Sequence, residues 1–204
     1  MGMQSERPRT DEILQFGHDR PPATGTLLAA APNLQDPNFR KRVVFLCEHG
    51  PEGSFGLVLN APLPMRLGEV IERHQSSVSL SQGGPVQQST LHFLHRRSDL
   101  ELGSREVAPG LYWGGDFEKV LRLLEHRKLH EDDVRFFAGF SGWGPNQLQE
   151  EMKQSSWYTV PCASDLIFSQ VRLGDEESLW KTVLRGLGSK YEILFNYPPD
   201  PALN

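Results

Sequence analysis

The segment RFFAGFSGWGPNQLQEEM, from Arg135 to Met152, decides how the fold is predicted. An apolar, strand-like run ends in a cluster of Gly142, Trp143, Gly144 and Pro145, and a polar, helix-favouring segment follows. Proline is well accepted at the first position of a helix, because its missing N–H needs no partner there. We therefore predict a strand, a sharp turn, and a helix that runs from Pro145 to about residue 154.

The composition indicates a single acidic globular domain. The chain has 204 residues, and chains of about 100 to 250 residues usually close around one core. A net charge of −5 disfavours general binding of nucleic acids or anionic membranes. The two cysteines, Cys47 and Cys162, are too few for a disulfide framework and indicate a reducing cytoplasm. No segment has the roughly 18 consecutive apolar residues that a membrane span requires.

The two ends of the chain differ from its middle in composition. Residues 1–24 are rich in charge and proline and are predicted to be a disordered tail. Residues 25–197 form the predicted domain, and residues 198–204 are a proline-rich C-terminal tail.

Short apolar runs separated by glycine and proline predict many strands. RVVFLCEH and FGLVLNAP are predicted to pair as a hairpin, with a loop longer than the tightest turns because GPEGS separates them. The other predicted strands are TLLAAAP, VSL, STLHFLH, REVA, LYWGG, DVRFFAGF, WYTV and YEILF.

About four helices are predicted between these strands. Leu67, Val70, Ile71 and His74 share one face of a helix over residues 65–74. The other helices cover residues 116–128, with Asp116 as N-cap, 145–154 and 176–187. Strands and helices do not alternate strictly, so the predicted class is α+β rather than a doubly wound parallel sheet.

Several motifs resemble the AlgH/YqgE family of bacterial proteins. These are GTLLAAAPNLQDPNFRKRVVFLCEHGPEGSFGLVLNAPL, GGPV, RFFAGFSGWGPNQLQEEM and the SSW that ends at Trp157. The resemblance runs from about Gly25 into the helix that contains Trp180. It implies one domain of several coiled mixed β-sheets with helices. It brings no shared catalytic mechanism, although some members carry the label of transcriptional regulator.

The glycine-rich turn is a candidate anion site. Successive N–H groups of Gly142, Trp143 and Gly144 could form a concave nest beside a helix N-terminus, and Gln147 could add a donor. The structural alternative is that the glycines permit a sharp turn while Trp143 covers the core and Pro145 starts the helix. Both alternatives stay open at this point.

Two other glycine pairs could line the same pocket. Gly83, Gly84 and Pro85 form one turn, and Gly114 to Asp116 form another. Converging turns would present backbone donors to a small anionic ligand. Separate tight turns are the alternative, since one sequence does not show convergence.

A hydrolase and a DNA-binding regulator are the alternative functions. Ser141 lies between a predicted strand and a predicted helix, as the nucleophile of a hydrolase does. However, the glycines do not match the Gly-x-Ser-x-Gly pattern, and all seven histidines precede Ser141, whereas the hydrolase order is Ser, acid, His. The basic clusters at residues 40–42 and 95–97 lack aromatic platforms, so nucleic-acid binding is disfavoured.

The histidine spacings favour no metal site. His92 and His95 point to opposite faces of a predicted strand, and the helix that carries His126 ends before His130.

The sequence therefore favours a cytoplasmic, non-enzymatic regulatory or ligand-binding module without catalytic residues, metal or cofactor. Its expected partner is a small anionic ligand or a protein. The expected contact residues are Gly83, Gly84, Pro85, Ser141, Gly142, Trp143, Gly144, Pro145 and Gln147.

Overall fold

The computed structural model describes residues 20–72, 76–100, 102–169, 171–188 and 191. Most of the predicted N-terminal tail, the predicted strand YEILF beyond Tyr191, and the proline-rich tail lie outside these residues.

The described residues form ten strands and five α-helices in one α+β domain, as the sequence predicts. The strands are β1 (Thr26–Ala30), β2 (Val43–Gly50), β3 (Gly53–Val58), β4 (Pro62–Arg66), β5 (Ser79–Gln82), β6 (Val86–His95), β7 (Arg105–Ala108), β8 (Leu111–Trp113), β9 (Val134–Trp143) and β10 (Trp157–Pro161). The helices are α1 (Leu67–Val70), α2 (Phe117–Glu125), α3 (Gln147–Lys153), α4 (Ser164–Ile167) and α5 (Glu176–Gly186), with 3₁₀ turns at Ser98–Leu100 and Glu131–Asp133.

Strand β9 joins two sheets. The strand order is β10-β1-β2-β3-β9-β6-β8-β7, and the β4–β5 pair attaches to β9 through β5. The last three residues of β9 pair with β3, while Phe136, Phe137 and Ala138 pair with β5. The β5–β9 pairing is parallel, and the other pairings among the described strands are antiparallel.

The connection between β5 and β6 passes over the backbone of β9, because these two strands lie on opposite sides of it. A Cβ atom on Gly83 would lie 2.2 Å from the Gly139 carbonyl oxygen, and one on Gly84 would lie 2.3 Å from the Phe140 carbonyl carbon. These distances are too short for any side chain. The GGPV motif is therefore required by a backbone crossing.

Hydrogen bonds fix this crossing on both sides. The Gly83 N–H donates to the Ala138 carbonyl at 2.8 Å, and the Val58 N–H donates to the Gly83 carbonyl at 2.8 Å. Gly139, directly below, has a φ of +68°, which glycine adopts without the strain that a side chain adds. The crossing thus connects β3, β5 and β9 through their backbones.

A buried arginine holds further segments against β9. The Arg135 guanidinium donates to the Ile167 carbonyl at 2.7 Å, to the Leu59 carbonyl, and to the Ser81 hydroxyl at 3.1 Å. Burial lowers the pKa of Arg135 to about 10, so the group stays charged at neutral pH. Neutral oxygens thus satisfy a buried cation that the sequence pattern does not reveal.

The core lies on both faces of the sheets. Along β2, Phe45 and Cys47 point into a central cluster covered by α5, while Val44 and Leu46 point into a cluster covered by α3. This two-sided burial explains the unbroken apolar run of β2. A third cluster lies between α2 and the strands around Phe136.

The predicted helix over residues 65–74 is wrong in most of its length. Its first two residues belong to β4, where Arg66 pairs with Ser79, and α1 is a single turn. Val70, which the helical pattern placed on the packed face, is 45 % exposed. Strand pairing therefore overrides the local helical periodicity, and His74 lies outside the described residues.

The predicted loop of the first hairpin is also wrong. Gly50 and Gly53 pair directly, which leaves a two-residue loop. A Cβ atom on Gly53 would lie 2.3 Å from the Trp143 carbonyl oxygen. Gly53 is thus a strand residue that permits the close approach of β9, rather than a loop residue.

The other helices differ from prediction mainly at their ends. Asp116 caps α2 by accepting from the Lys119 N–H at 2.9 Å, as predicted, but α2 ends at Glu125 and Arg127 has a positive φ. Helix α5 matches its prediction to within one residue. Helix α4 has only four residues and was not predicted. Every helix in the described part of the chain is too short or too polar to span a bilayer.

We predict that Gly83→Ala destabilises the protein by about 3 kcal/mol or more, because its methyl group meets the β9 backbone. Gly50→Ala is the matched control, since a Cβ atom there meets nothing within 4 Å and its φ is not left-handed. Its free energy of unfolding should stay within about 0.5 kcal/mol of the unsubstituted protein. Urea denaturation measures both values, and equal stabilities of the two variants would contradict the crossing.

Candidate functional site

The glycine-rich turn is part of a strand for most of its length. Strand β9 continues through Trp143, with Gly142 opposite Phe55 and Trp143 opposite Ser54. Neither Gly142 nor Gly144 has a left-handed φ; the residue that does is Asn146, at +61°. The predicted helix start at Pro145 is therefore wrong, because Asn146 turns the chain and α3 begins at Gln147.

The indole of Trp143 is anchored from within α3. The Glu151 carboxylate accepts from the Trp143 indole N–H at 2.9 Å and from the Trp157 indole N–H at 2.7 Å. Phe39 contacts both rings, with centroid distances of 6.0 and 5.5 Å. Trp143 is only 5 % exposed, so this cluster belongs to the core.

The Gly144 amide already has a partner. Its N–H donates to the Gln147 side-chain oxygen at 3.0 Å, and the Gln147 amide donates to Glu151 at 3.0 Å. Gln147 thus uses its carbonyl to bind this turn and its NH₂ to bind Glu151. The contacts of this turn agree with the structural alternative for the segment.

Ser141 is fully buried. Its hydroxyl donates to the Gly83 carbonyl at 3.2 Å. The predicted turn at Gly83, Gly84 and half-buried Pro85 therefore does meet Ser141, but as part of the β9 crossing. A hydroxyl without solvent access is a poor nucleophile, so the geometry does not favour hydrolysis at Ser141.

The third glycine turn opens into a cleft that contains none of the nine predicted site residues. This aromatic cleft has a volume of about 430 Å³, within the range of ligand sites. Its lining residues are Ser89, Leu91, His92, Phe93, Trp113, Gly114, Gly115 and Phe117.

An incompletely paired strand edge forms one side of the aromatic cleft. Strand β8 pairs with β6 only at Leu94 and His95, and then the Gly114 N–H donates to the Phe93 carbonyl at 3.0 Å. Outward-facing backbone groups alternate along an antiparallel strand, so the N–H and C=O of Leu91 face the same side as those of Phe93. Among the described strands, none pairs with Leu91 on that side.

Half-buried aromatic rings form an adjoining cluster. Phe55 lies at its centre, with ring centroids 4.6 Å from Trp113, 4.6 Å from Phe140 and 5.1 Å from His92. Burial lowers the pKa of His92, so its imidazole is mainly neutral at neutral pH. The Thr90 hydroxyl lies 3.1 Å from His92 Nε2. The lining is therefore mostly apolar and uncharged.

The chain pattern gave only part of this cleft. The sequence indicates Gly114 and Gly115 only as a source of donors for an anion. It places His92 and Trp113 on ordinary strands. Their proximity depends on the order of β6, β8 and β9 in the sheet, which the local pattern does not encode.

The remaining histidine candidates are structural. His95 is buried and lies 2.6 Å from the Ser104 hydroxyl through Nε2, while the Arg97 N–H donates to its Nδ1. His126 caps the end of α2, and His130 caps the following 3₁₀ turn. Within the described ranges, no group of three or more histidine, cysteine or acidic side chains could hold a metal.

We predict that Glu151→Gln lowers the free energy of unfolding by about 1 to 3 kcal/mol, because a charged acceptor for two buried indole N–H groups is lost. Glu150→Gln is the control from the adjacent position, where the carboxylate pairs with exposed Lys153. It should change stability by less than about 0.5 kcal/mol. If urea denaturation gave equal losses of stability for the two variants, the role of Glu151 as the anchor of this turn would be contradicted.

The chain is similar to known proteins over most of its length. A family model described as AlgH-like (DUF179) matches residues 27–192. A UPF0301 protein of Chlorobium luteolum is 41 % identical over 183 residues, covering 89 % of this chain and 95 % of that protein. A UPF0301 protein of Cytophaga hutchinsonii is 40 % identical over 182 residues, covering 88 % and 98 %.

Solved structures share the fold. The solution structure of the AlgH protein from Pseudomonas aeruginosa aligns with a TM-score of 0.68 at 26 % identity, covering 86 % of this chain and 94 % of that one. A crystal structure from Corynebacterium diphtheriae aligns with a TM-score of 0.69 at 22 % identity, covering 87 % and 94 %, and it shows the fold alone. The chain therefore belongs to the AlgH-like family of UPF0301 proteins, whose function is uncharacterised.

Proposed function

We propose that this protein is a non-enzymatic binding module that takes an extended segment of a partner protein at the aromatic cleft. The observation that carries the proposal is the unpaired side of β6 at Leu91, beside the half-buried rings of His92 and Trp113. An extended peptide can add to such an edge through backbone hydrogen bonds, while alternate side chains enter pockets on either face.

The lining of the cleft favours an apolar side chain over an anion. Leu91, Phe93, Trp113 and Phe117 supply apolar surface, and no lysine or arginine of the described ranges lines the cleft. At the margin of the cleft, Arg105 lies opposite Trp113 in the strand pairing and forms an ion pair with Glu48 at 3.0 Å. These two exposed charges balance each other. A partner with an aromatic or long aliphatic residue in an extended segment fits this surface best.

The contacts of the basic clusters favour a protein partner over DNA. Arg97 pairs with Asp99 at 2.8 Å, and Lys41 pairs with Glu177 at 2.6 Å. Arg42 donates to the Asn60 carbonyl at 2.6 Å. We place the binding role in the cytoplasm, where both free thiols stay reduced. A regulatory role would then act through protein contact.

Selection from a random peptide-display library tests the proposal. The selected peptides should carry apolar residues at alternating positions, and on titration they should shift the NMR signals of the Leu91, His92 and Gly114 amides. Leu91→Pro, which removes the outward N–H, and Trp113→Ala, which removes the ring, should each weaken binding about tenfold or more.

The control variant is Leu173→Ala, which removes an apolar side chain that is 58 % exposed outside the cleft. It should bind the selected peptides as the unsubstituted protein does. Melting curves must show that all variants remain folded. Peptides that bind Trp113→Ala with full affinity, or that shift amides only elsewhere, would refute the proposed site.

A further inference from the structure

A second cleft shares no residue with the aromatic cleft. It has a volume of about 630 Å³ and is bounded by residues 20–22, the end of α3, the start of β10, and Tyr191. We refer to it as the Tyr158 cleft.

Aromatic and proline rings form much of the Tyr158 cleft. Tyr158 and Tyr191 meet edge to face, with centroids 5.1 Å apart and an interplanar angle of 76°. Pro21 and Pro22 line the cleft with them, and the nearly buried Trp157 adds a third aromatic ring. Such surfaces favour a flat ring, because aromatic groups pack well by edge or offset contact.

The charged side chains that line the Tyr158 cleft are basic in the described part of the chain. Arg20 and Lys153 line it, and among the described residues no aspartate or glutamate does, although the whole chain has a net charge of −5. Lys153 does pair with Glu150 at 2.6 Å, but both side chains are more than half exposed, at 71 % and 59 %. Exposed pairs are weak, so this lysine can turn to a bound anion at little cost.

Uncharged donors complete the lining. Gln149 and Ser155 contribute polar side chains. Burial raises the pKa of Tyr158, so its phenol stays protonated at neutral pH and can donate a hydrogen bond. The carbonyls of Glu150 and Met152 at the end of α3 already accept backbone N–H groups, which limits their repulsion of an anion.

We propose that the Tyr158 cleft binds a small molecule that combines an aromatic ring with a phosphate or carboxylate group. The ring packs against Tyr158 and Tyr191, and the anion lies at Lys153. This site is independent of the peptide site proposed above, because the two clefts have no residue in common.

Phenyl phosphate is the minimal probe, with phenol and inorganic phosphate as matched compounds that each lack one of its two groups. In ¹⁵N NMR titrations, phenyl phosphate should give saturable shifts at the amides of Gln149, Ser155 and Tyr158. Its affinity should exceed that of either matched compound by about tenfold, the gain from one charge-assisted hydrogen bond or one ring contact.

Lys153→Gln should weaken phenyl phosphate binding by about tenfold and leave the melting temperature unchanged. Lys181→Gln is the control, because Lys181 also pairs with an exposed glutamate, Glu177 at 3.2 Å, but lies outside the cleft. It should bind normally. The proposal is overturned by an absence of saturable shifts at millimolar probe, by equal affinity for phenol, or by full affinity in Lys153→Gln. Shifts confined to Leu91, His92 and Gly114 would also overturn it.

Discussion

The β5–β6 connection passes over β9 at a distance that no side chain permits, and the rest of the architecture depends on this contact. Gly83 and Gly84 lie against the backbone of Gly139 and Phe140, with hydrogen bonds to β9 on one side and β3 on the other. Because β9 also carries β6 along its other edge, one strand orders both sheets. The position of the aromatic cleft follows from that order.

The same strand explains the tryptophan between two glycines. Beyond the crossing, β9 pairs with β3, and Trp143 at its end packs on the face of the sheet that α3 covers. There its indole N–H meets Glu151, which also receives Trp157 from β10. A carboxylate that accepts two indole N–H groups fixes the angle at which α3 leaves the strand. Gly144 and Gln147 close the turn with their own hydrogen bond.

Local patterns were sufficient for elements whose conformation is set by their own residues. The apolar stripe of α5, the Asp116 cap of α2 and the continuous apolar run of β2 all belong to this kind. Predictions from local patterns were wrong where contact with a strand distant in sequence determines the conformation. Residues 65 and 66 joined β4 because β5 was available to pair, and Gly53 became a strand residue because the Trp143 carbonyl approaches it.

The candidate site shows the same division. The sequence identified three glycine-rich segments, but one is a backbone crossing and another is mostly the end of β9. Among the described residues of these segments, only Gly114 and Gly115 line a cleft. The spacing of the residues does not show that His92 and Trp113 line one cleft, or that Arg20 and Lys153 line another, since each pair joins separate segments of the chain. The burial of Arg135 could not be predicted either, because its partners are backbone carbonyls on two distant segments, Leu59 and residues 167–169, and the Ser81 hydroxyl.

Native-state hydrogen exchange at the Gly83 and Val58 amides tests the central role of the crossing most directly. If the crossing holds both sheets together, these two amides should exchange only through global unfolding, with the same opening free energy as the core amides of β2 and β9. Exchange of either amide through a local opening, at a free energy well below the global value, would contradict the account.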